Sequence, residues 1–127
     1  MRSRFIRALQ IGLMGILAAA GLTVTASPAM ADTTCNFAGA VCVWTSPNYT
    51  GTRTVLQGWP CTQITGAAND NTSSLKVNAS PASNDWILYV DSNCNPASGW
   101  ITYNNGTSIA SLNATYNNKF SSAGAAN

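Results

Sequence analysis

The sequence predicts an all-β fold, a small sandwich of two hairpin-plus-strand units, and three observations support it. Short runs rich in β-branched and aromatic residues alternate with turns rich in Gly, Pro, Asn and Ser. No window of useful length has a helical period. A polar hexapeptide also occurs twice at matching positions. The predicted strands are residues 41–44, 53–56, 75–77, 86–90 and 100–103. The tail 123–127 is expected to be frayed. The side chains expected in the core or half-buried are Trp44, Leu75, Val77, Trp86, Tyr89 and Trp100.

The repeated hexapeptides define two halves of the chain. They begin at Asn69 and Asn117, and each begins 18 positions after a glycine, Gly51 in the first half and Gly99 in the second. The halves are offset by 45 residues before these glycines and by 48 after them, so the second hairpin has three extra residues. Insertions of this kind belong in hairpin tips. We therefore expect a duplicated supersecondary unit, with halves at about 35–80 and 84–122.

The first 31 residues have the features of a secretory signal peptide. Three arginines precede an apolar run of 12 residues, and Ala29-Met30-Ala31 is a small-residue cleavage motif. The run is too short to span a membrane, and no later segment could do so. The sequence therefore predicts a secreted, extracellular protein that leaves the membrane after cleavage. The remainder, residues 32–127, is expected to form one domain and to be monomeric.

Composition excludes several classes of function. The formal charge of the whole chain is +2, but residues 32–127 hold three Lys or Arg against four Asp, which gives −1. This charge-poor surface gives no electrostatic footprint for nucleic acid or anionic membranes. The same residues contain no histidine and no glutamate, so the usual general bases are missing. We expect a protein that is not an enzyme.

Four cysteines lie after the signal peptide, an even number that in an exported chain predicts two disulfides. Three pairings are possible. We favour Cys35–Cys42, which closes the arm before the first strand, together with Cys61–Cys94, which connects the two halves. A metal cluster is the rival interpretation, but the chain has no CxxC spacing and no histidine.

At these positions the sequence resembles known families. Trp44, Tyr49 and Gly51 form an aromatic-x4-aromatic-x-Gly hairpin that precedes an Asn/Asp-rich hexapeptide, and this is similar to the βγ-crystallin Greek-key motif. The segment Cys35-x6-Cys42-x-Trp44 also resembles the metalloproteinase-inhibitor type of peptidase inhibitor family (family thirty-six). Together the resemblances cover about residues 35–122. They imply a two-Greek-key βγ-crystallin-like sandwich, stabilised by disulfides.

The crystallin resemblance implies two calcium sites, because hard cations take oxygen ligands from such loops. No cofactor is required, but calcium is possible. The second hexapeptide has no carboxylate, and Cys94 replaces an aromatic residue of the motif, so binding would be weak. The alternative is that the hexapeptides act only as turns. The ligand positions implied by the resemblance are Asn69, Asp70, Asn71 and Ser73, then Asn117, Asn118, Lys119 and Ser121, with the carbonyls of Thr45 and Val90.

The inhibitor resemblance implies a secreted protease as the partner. A rigid, cross-linked loop loses little entropy when it binds in a protease cleft. We favour the loop that carries the three extra residues, with the candidate inhibitory residues Asp91, Ser92, Asn93, Cys94, Asn95 and Pro96; the segment 78–85 is a second candidate. The alternative function is an extracellular calcium-binding βγ-crystallin module with a structural or envelope- or carbohydrate-associated role.

Overall fold

A computed structural model of the protein describes residues 32–58, 60–78 and 85–126. These residues hold eight β-strands and two single turns of 3-10 helix, at Gly66–Ala68 and Ser92–Cys94. The strands are β1 Ala40–Ser46, β2 Thr50–Leu56, β3 Thr62–Gln63, β4 Ser74–Asn78, β5 Asp85–Tyr89, β6 Trp100–Tyr103, β7 Ser108–Ile109 and β8 Ser122–Ala126.

The strands form two four-stranded antiparallel sheets with a strand exchanged between the halves. One sheet has the order β2-β1-β4-β7 and the other β3-β8-β5-β6. Three strands of each sheet come from one half of the chain, and the third strand of the other half completes it. Each half is thus a Greek key, which confirms the predicted two-Greek-key, all-β sandwich.

The core lies between the two sheets. Alternate residues point inward because successive side chains of a strand face opposite sides. On the first sheet Val41, Val43 and Leu75 are fully buried, and on the second Trp86 and Leu88 face them. A separate cluster around the first disulfide contains Trp44, which is also fully buried. The prediction that Trp44, Trp86, Leu75 and Val77 are core residues is correct.

Two expectations are wrong. Trp100 was expected in the core or half-buried, but it is one of the exposed large apolar side chains, with 51% of its surface accessible. Trp100 lies an odd number of positions before the buried Tyr103, so its side chain is on the outer face. The tail 123–127 was expected to be frayed, but residues 123–126 belong to β8, which pairs with both β3 and β5. β3 and β7, two residues each, were not predicted at all.

The disulfide prediction is confirmed. Cys35 is bonded to Cys42 within the first half, and Cys61 to Cys94 between the halves, with Cα–Cα distances of 5.8 and 6.1 Å. The predicted signal peptide (residues 1–31) lies outside the described residues, as do residues 79–84, which make up most of the second candidate inhibitory segment, 78–85. In the part of the chain that the structure describes, none of the helical segments has the length and apolarity that a membrane-spanning helix needs.

Candidate functional site

The two hexapeptides meet the two hairpins through equivalent backbone hydrogen bonds. The N–H of Ser73, the fifth residue of the first hexapeptide, donates to the carbonyl of Trp44 at 2.8 Å. The N–H of Ser121, its equivalent, donates to the carbonyl of Tyr89 at 3.0 Å. The offsets between these pairs are 48 and 45 residues, the values that the sequence repeat gives. The repeat is therefore a structural one.

The hexapeptides also bond directly to each other. The N–H of Asp70 donates to the carbonyl of Phe120 at 3.0 Å, and that of Asn118 donates to the carbonyl of Thr72 at 2.9 Å. Asp70 and Asn118, each the second residue of its hexapeptide, have φ values of 50° and 58°. Asp and Asn tolerate this left-handed conformation better than other residues with a side chain. The sequence pattern therefore folds these loops in the same way.

Side-chain oxygens pair across the repeat rather than within one hexapeptide. The hydroxyl of Ser121 donates to Oδ1 of Asp70 at 2.8 Å, and the hydroxyl of Ser73 donates to Oδ1 of Asn118 at 3.1 Å. Asp70 and Asn118 are exposed at the surface, whereas Ser73 is buried. Two small clusters of oxygens result, and only the one at Asp70 contains a carboxylate.

The other predicted ligand residues lie around these clusters. Asn71 donates from its side-chain amide to the carbonyl of Ala67 at 3.2 Å. Asn69, Asn71 and Lys119 are exposed and Asn117 is half-buried. Thr45 lies where the β1–β2 register shifts, and Val90 directly follows β5. Within the described residues no group of three or more His, Cys, Asp or Glu could hold a metal ion, so any cation here would depend on neutral oxygens and Asp70.

The hairpins after β1 and β5 are equivalent but are stabilised differently. Asn48 and Tyr49 are both left-handed, with φ of 58° and 59°, and Asn93 and Cys94 match them with 58° and 52°. The ring of Tyr49 packs edge-on against Trp44, with centroids 5.4 Å apart. Cys94 stands where the motif has this aromatic residue, as the sequence indicated. A covalent bond to Cys61 thus replaces the aromatic contact in the second hairpin.

Serine hydroxyls hold both hairpins to the sheets. The hydroxyl of Ser74 accepts from the N–H of Tyr49 at 3.0 Å and donates to the carbonyl of Ser46 at 2.7 Å. Ser122 forms the same pair of bonds in the second half, with Cys94 at 2.8 Å and Asp91 at 2.6 Å. Both serines are fully buried. The sixth residue of each hexapeptide therefore connects the hairpin to the sheet, a role that was not predicted for it.

The loop of residues 91–99 is exposed but internally bonded. Oδ2 of Asp91 accepts from the N–H of Ser98 at 2.9 Å, and Oδ1 of Asn95 accepts from the N–H of Ala97 at 3.0 Å. The N–H of Gly99 donates to the carbonyl of Pro96 at 3.2 Å, and its own carbonyl accepts from the N–H of Val90. Residues 92, 93 and 95–98 are exposed. The loop therefore presents a backbone of fixed shape to solvent.

A side chain from β3 also holds this loop, and it was not among the predicted site residues. Gln63 donates from Nε2 to Oδ1 of Asn93 at 3.2 Å, and its Oε1 accepts from the N–H of Asn93 at 3.1 Å. Gln63 lies two residues after Cys61, whose partner Cys94 follows Asn93. The only sequence signal for Gln63 is its closeness to Cys61.

The N-terminal arm, residues 32–35, is held by side chains of the first sheet. Its carbonyls accept hydrogen bonds from Nε1 of Trp44, Nζ of Lys76 and a guanidinium nitrogen of Arg53, at 2.9, 2.7 and 2.9 Å. Arg53 is also ion-paired with Asp32. Hydrogen bonds from Thr34, and more weakly the charge of Arg53, lower the pKa of Asp32. The arm thus closes over the buried Trp44.

Comparisons with known proteins agree with this geometry. A family model described as Peptidase inhibitor family I36 matches residues 28–103, more than half of the chain. A search of curated proteins found no match.

Several solved structures are similar to the chain. One, from work on the evolution of the eye lens βγ-crystallin domain fold, has a TM-score of 0.59 and 22% identity, covering 73% of this chain and 91% of that one. An archaeal βγ-crystallin has a TM-score of 0.57 and 22% identity, covering 71% and 100%. A βγ-crystallin domain from Clostridium beijerinckii has a TM-score of 0.52 and 25% identity, covering 68% and 95%. The fold is therefore that of a βγ-crystallin domain.

Proposed function

Since the chain belongs to peptidase inhibitor family I36, we propose that it inhibits a secreted metallopeptidase by inserting residues 91–96 of the loop 91–99 into the active-site cleft. The family and the βγ-crystallin fold make it a non-enzymatic, inhibitor-like protein. The metallopeptidase class, the extracellular location and the loop itself are parts of the proposal. Disulfides are typical of exported proteins, which supports the location.

The observation that carries the proposal is the loop's combination of exposure and restraint. Its backbone is tied at Asp91, Cys94 and Gly99, yet residues 92, 93 and 95–98 are open to solvent. An inhibitor binds tightly when little conformational freedom remains to be lost in the complex. The first hairpin, in contrast, lacks the three extra residues and has a non-covalent aromatic contact instead of the bridge.

An exposed tryptophan extends the proposed contact surface. Trp100 directly follows the loop, and its carbonyl accepts a hydrogen bond from the hydroxyl of Tyr116 at 3.0 Å. Its backbone is also paired with Tyr89 of β5. A half-exposed indole on a fixed backbone is a frequent anchor in protein interfaces. We place Trp100 at the edge of the peptidase contact.

The test is inhibition of a thermolysin-type metallopeptidase by the purified, oxidised protein, with two matched asparagine variants. Oδ1 of Asn95 accepts from the N–H of Ala97 at 3.0 Å, and Oδ1 of Asn113 accepts from the N–H of Thr115 at 3.1 Å. Both asparagines are exposed. Asn95→Ala should raise the inhibition constant by more than about tenfold, whereas Asn113→Ala should leave it unchanged.

The outcomes separate cleanly. An equal effect of the two variants would mean that the loop is not the contact segment. An absence of inhibition, when serine peptidases are tested as well, would refute inhibition itself. If only serine peptidases were inhibited, the loop would remain the proposed contact segment, but the metallopeptidase class of the target would be refuted.

As a second candidate function, we propose weak calcium binding at the cluster of Asp70 and Ser121. The observation that favours it is the approach of a carboxylate and a hydroxyl from opposite hexapeptides, 2.8 Å apart, at an exposed left-handed turn. With one carboxylate the dissociation constant should be about 10⁻⁴–10⁻³ M. Calcium would then add stability to the junction of the two halves without taking part in inhibition.

Thermal melts with and without millimolar calcium test this second function. The melting temperature should rise with calcium in the wild-type protein and not in Asp70→Ala. Asp85→Ala is the matched control, since Asp85 also accepts a hydrogen bond at the surface, from the N–H of Asn105, but lies outside the hexapeptides. If calcium did not change the melting temperature of the wild-type protein, calcium binding would be refuted and the hexapeptides would act only as structural turns.

A further inference from the structure

The two halves differ in what holds the first left-handed residue of the hairpin. In the first half the N–H of Asn48 donates to the main-chain carbonyl of Ala110 at 2.6 Å. The position equivalent to Ala110, 48 residues earlier, is Thr62 in β3. The N–H of Asn93, the equivalent of Asn48, donates instead to the side chain of Gln63 at 3.1 Å. In the second half a side chain, which can be changed by mutation, thus accepts the hydrogen bond that a main-chain carbonyl accepts in the first half.

Gln63 forms a two-point contact with the loop. Its Oε1 accepts the N–H of Asn93 while its Nε2 donates to Oδ1 of the same residue at 3.2 Å. Two residues earlier, Cys61 is bonded to Cys94. Alternate residues 61 and 63 therefore fix two consecutive residues of the loop, both of which are left-handed.

From this geometry we propose that Gln63 is a positioning residue of the inhibitory loop: its amide fixes Asn93 in the left-handed conformation in which the loop is presented to the peptidase. This inference rests on the proposed function. Gln63 is exposed in β3, outside residues 91–96. It acts through Asn93 and does not itself contact the peptidase.

The physical argument is one of preorganisation. A residue with a side chain adopts a left-handed conformation at a cost and keeps it when its surroundings hold it there. Without Gln63, the N–H and the side chain of Asn93 can exchange their partners for water, and Asn93 itself is then restrained only through its neighbours, by the disulfide of Cys94 and the hydrogen bonds of Ser122 to Cys94 and Asp91. Ordering the loop must then take place on binding and weakens the complex. A core residue would act through stability, but Gln63 is exposed, so its loss should change affinity more than the melting temperature.

The experiment compares Gln63→Ala and Gln63→Glu with Gln57→Ala, an exposed glutamine that precedes β3. Inhibition constants against a thermolysin-type metallopeptidase are measured together with melting temperatures and amide hydrogen exchange of the oxidised protein. Gln63→Ala should raise the inhibition constant about tenfold or more, with nearly the same melting temperature. Gln63→Glu keeps the acceptor for the N–H of Asn93 but loses the donor, so its effect should be intermediate. Gln57→Ala should behave as wild type.

Hydrogen exchange supplies a readout that a general loss of structure would not give. In Gln63→Ala the amide of Asn93 should exchange faster, whereas that of Asn48, held by the backbone of Ala110, should be unchanged. An unchanged inhibition constant in Gln63→Ala, with wild-type inhibition present, overturns the positioning role and leaves the proposed function intact. A wild-type protein that inhibits no peptidase refutes the proposed function, and the inference falls with it.

Discussion

Removal of each disulfide in turn should separate the stability of the fold from the shape of the loop. Loop-closure entropy assigns the Cys61–Cys94 bridge, with a sequence separation of 33, about 3.7 kcal/mol. The Cys35–Cys42 bridge, with a separation of 7, receives about 2.4 kcal/mol. Cys42 is fully buried and Cys35 is 8% exposed, so losing their sulfur atoms adds about 1–2 kcal/mol of lost burial. The two costs therefore come out close to 4 kcal/mol each.

The functional effects should differ although the stability costs match. The double variants Cys35→Ala/Cys42→Ala and Cys61→Ala/Cys94→Ala should both melt roughly 15–30 °C below wild type. At a low temperature where near-ultraviolet circular dichroism shows both to be folded, only the second should lose inhibition, by about a hundredfold or more. Its bridge fixes the loop, whereas the first bridge fixes the N-terminal arm to Cys42 of β1.

Three measurements decide the matter: melting temperature, near-ultraviolet circular dichroism and the inhibition constant of each double variant. If both variants lost inhibition equally while folded, rigidity at Cys94 would not be what makes the loop an inhibitor. If the variant without Cys61–Cys94 were far less stable than the other, the estimate of the burial contribution would be wrong.

Two further predictions concern the core and β8. Burial, and to a lesser extent Tyr116, raises the pKa of Tyr103 to about 12. The folded pKa lies above the unfolded value of 10.0, so this contribution to stability is intact below pH 10. The free energy of unfolding should fall, by at most about 3 kcal/mol, as the pH rises from 10 towards 12. Denaturant titrations should show a smaller fall in this free energy for Tyr103→Phe. A Cβ at Gly124 would lie 2.6 Å from the carbonyl oxygen of Pro60, so Gly124→Ala should lower the melting temperature by roughly 5–20 °C through overpacking; an unchanged melt would mean that the segment at Pro60 yields without cost.

The sequence carried much of the fold because duplication made its pattern visible twice. The hexapeptides, the glycines and the offset of three residues located both hairpins, and the structure repeats the same hydrogen bonds at those offsets. Strand β8 was missed because Ala-Gly-Ala has low intrinsic strand preference, and its place between β3 and β5 depends on packing that local sequence does not encode. Its small residues are required there: Gly124 leaves room for Pro60.

Only part of the candidate site could be predicted from the sequence. Cys94 could be singled out from the sequence because it stands where the Greek-key motif has an aromatic residue. The pairing of Asp70 with Ser121 joins residues 51 positions apart, so it depends on how the halves pack. Gln63 belongs to a strand of two residues that has no detectable period, so nothing local indicated its contact with Asn93.

The exchange of β3 and β7 between the sheets has a consequence for how such a molecule can be assembled. Neither half forms a four-stranded sheet from its own strands, since each sheet takes its last strand from the other half. A free single unit that kept this topology would complete its sheet with the third strand of a second copy, and would give its own third strand to that copy. Such a dimer with exchanged strands would have the same arrangement of strands as this protein. The difference is that here a single chain connects the two units covalently. Two separately produced halves should accordingly recover the fold only when mixed.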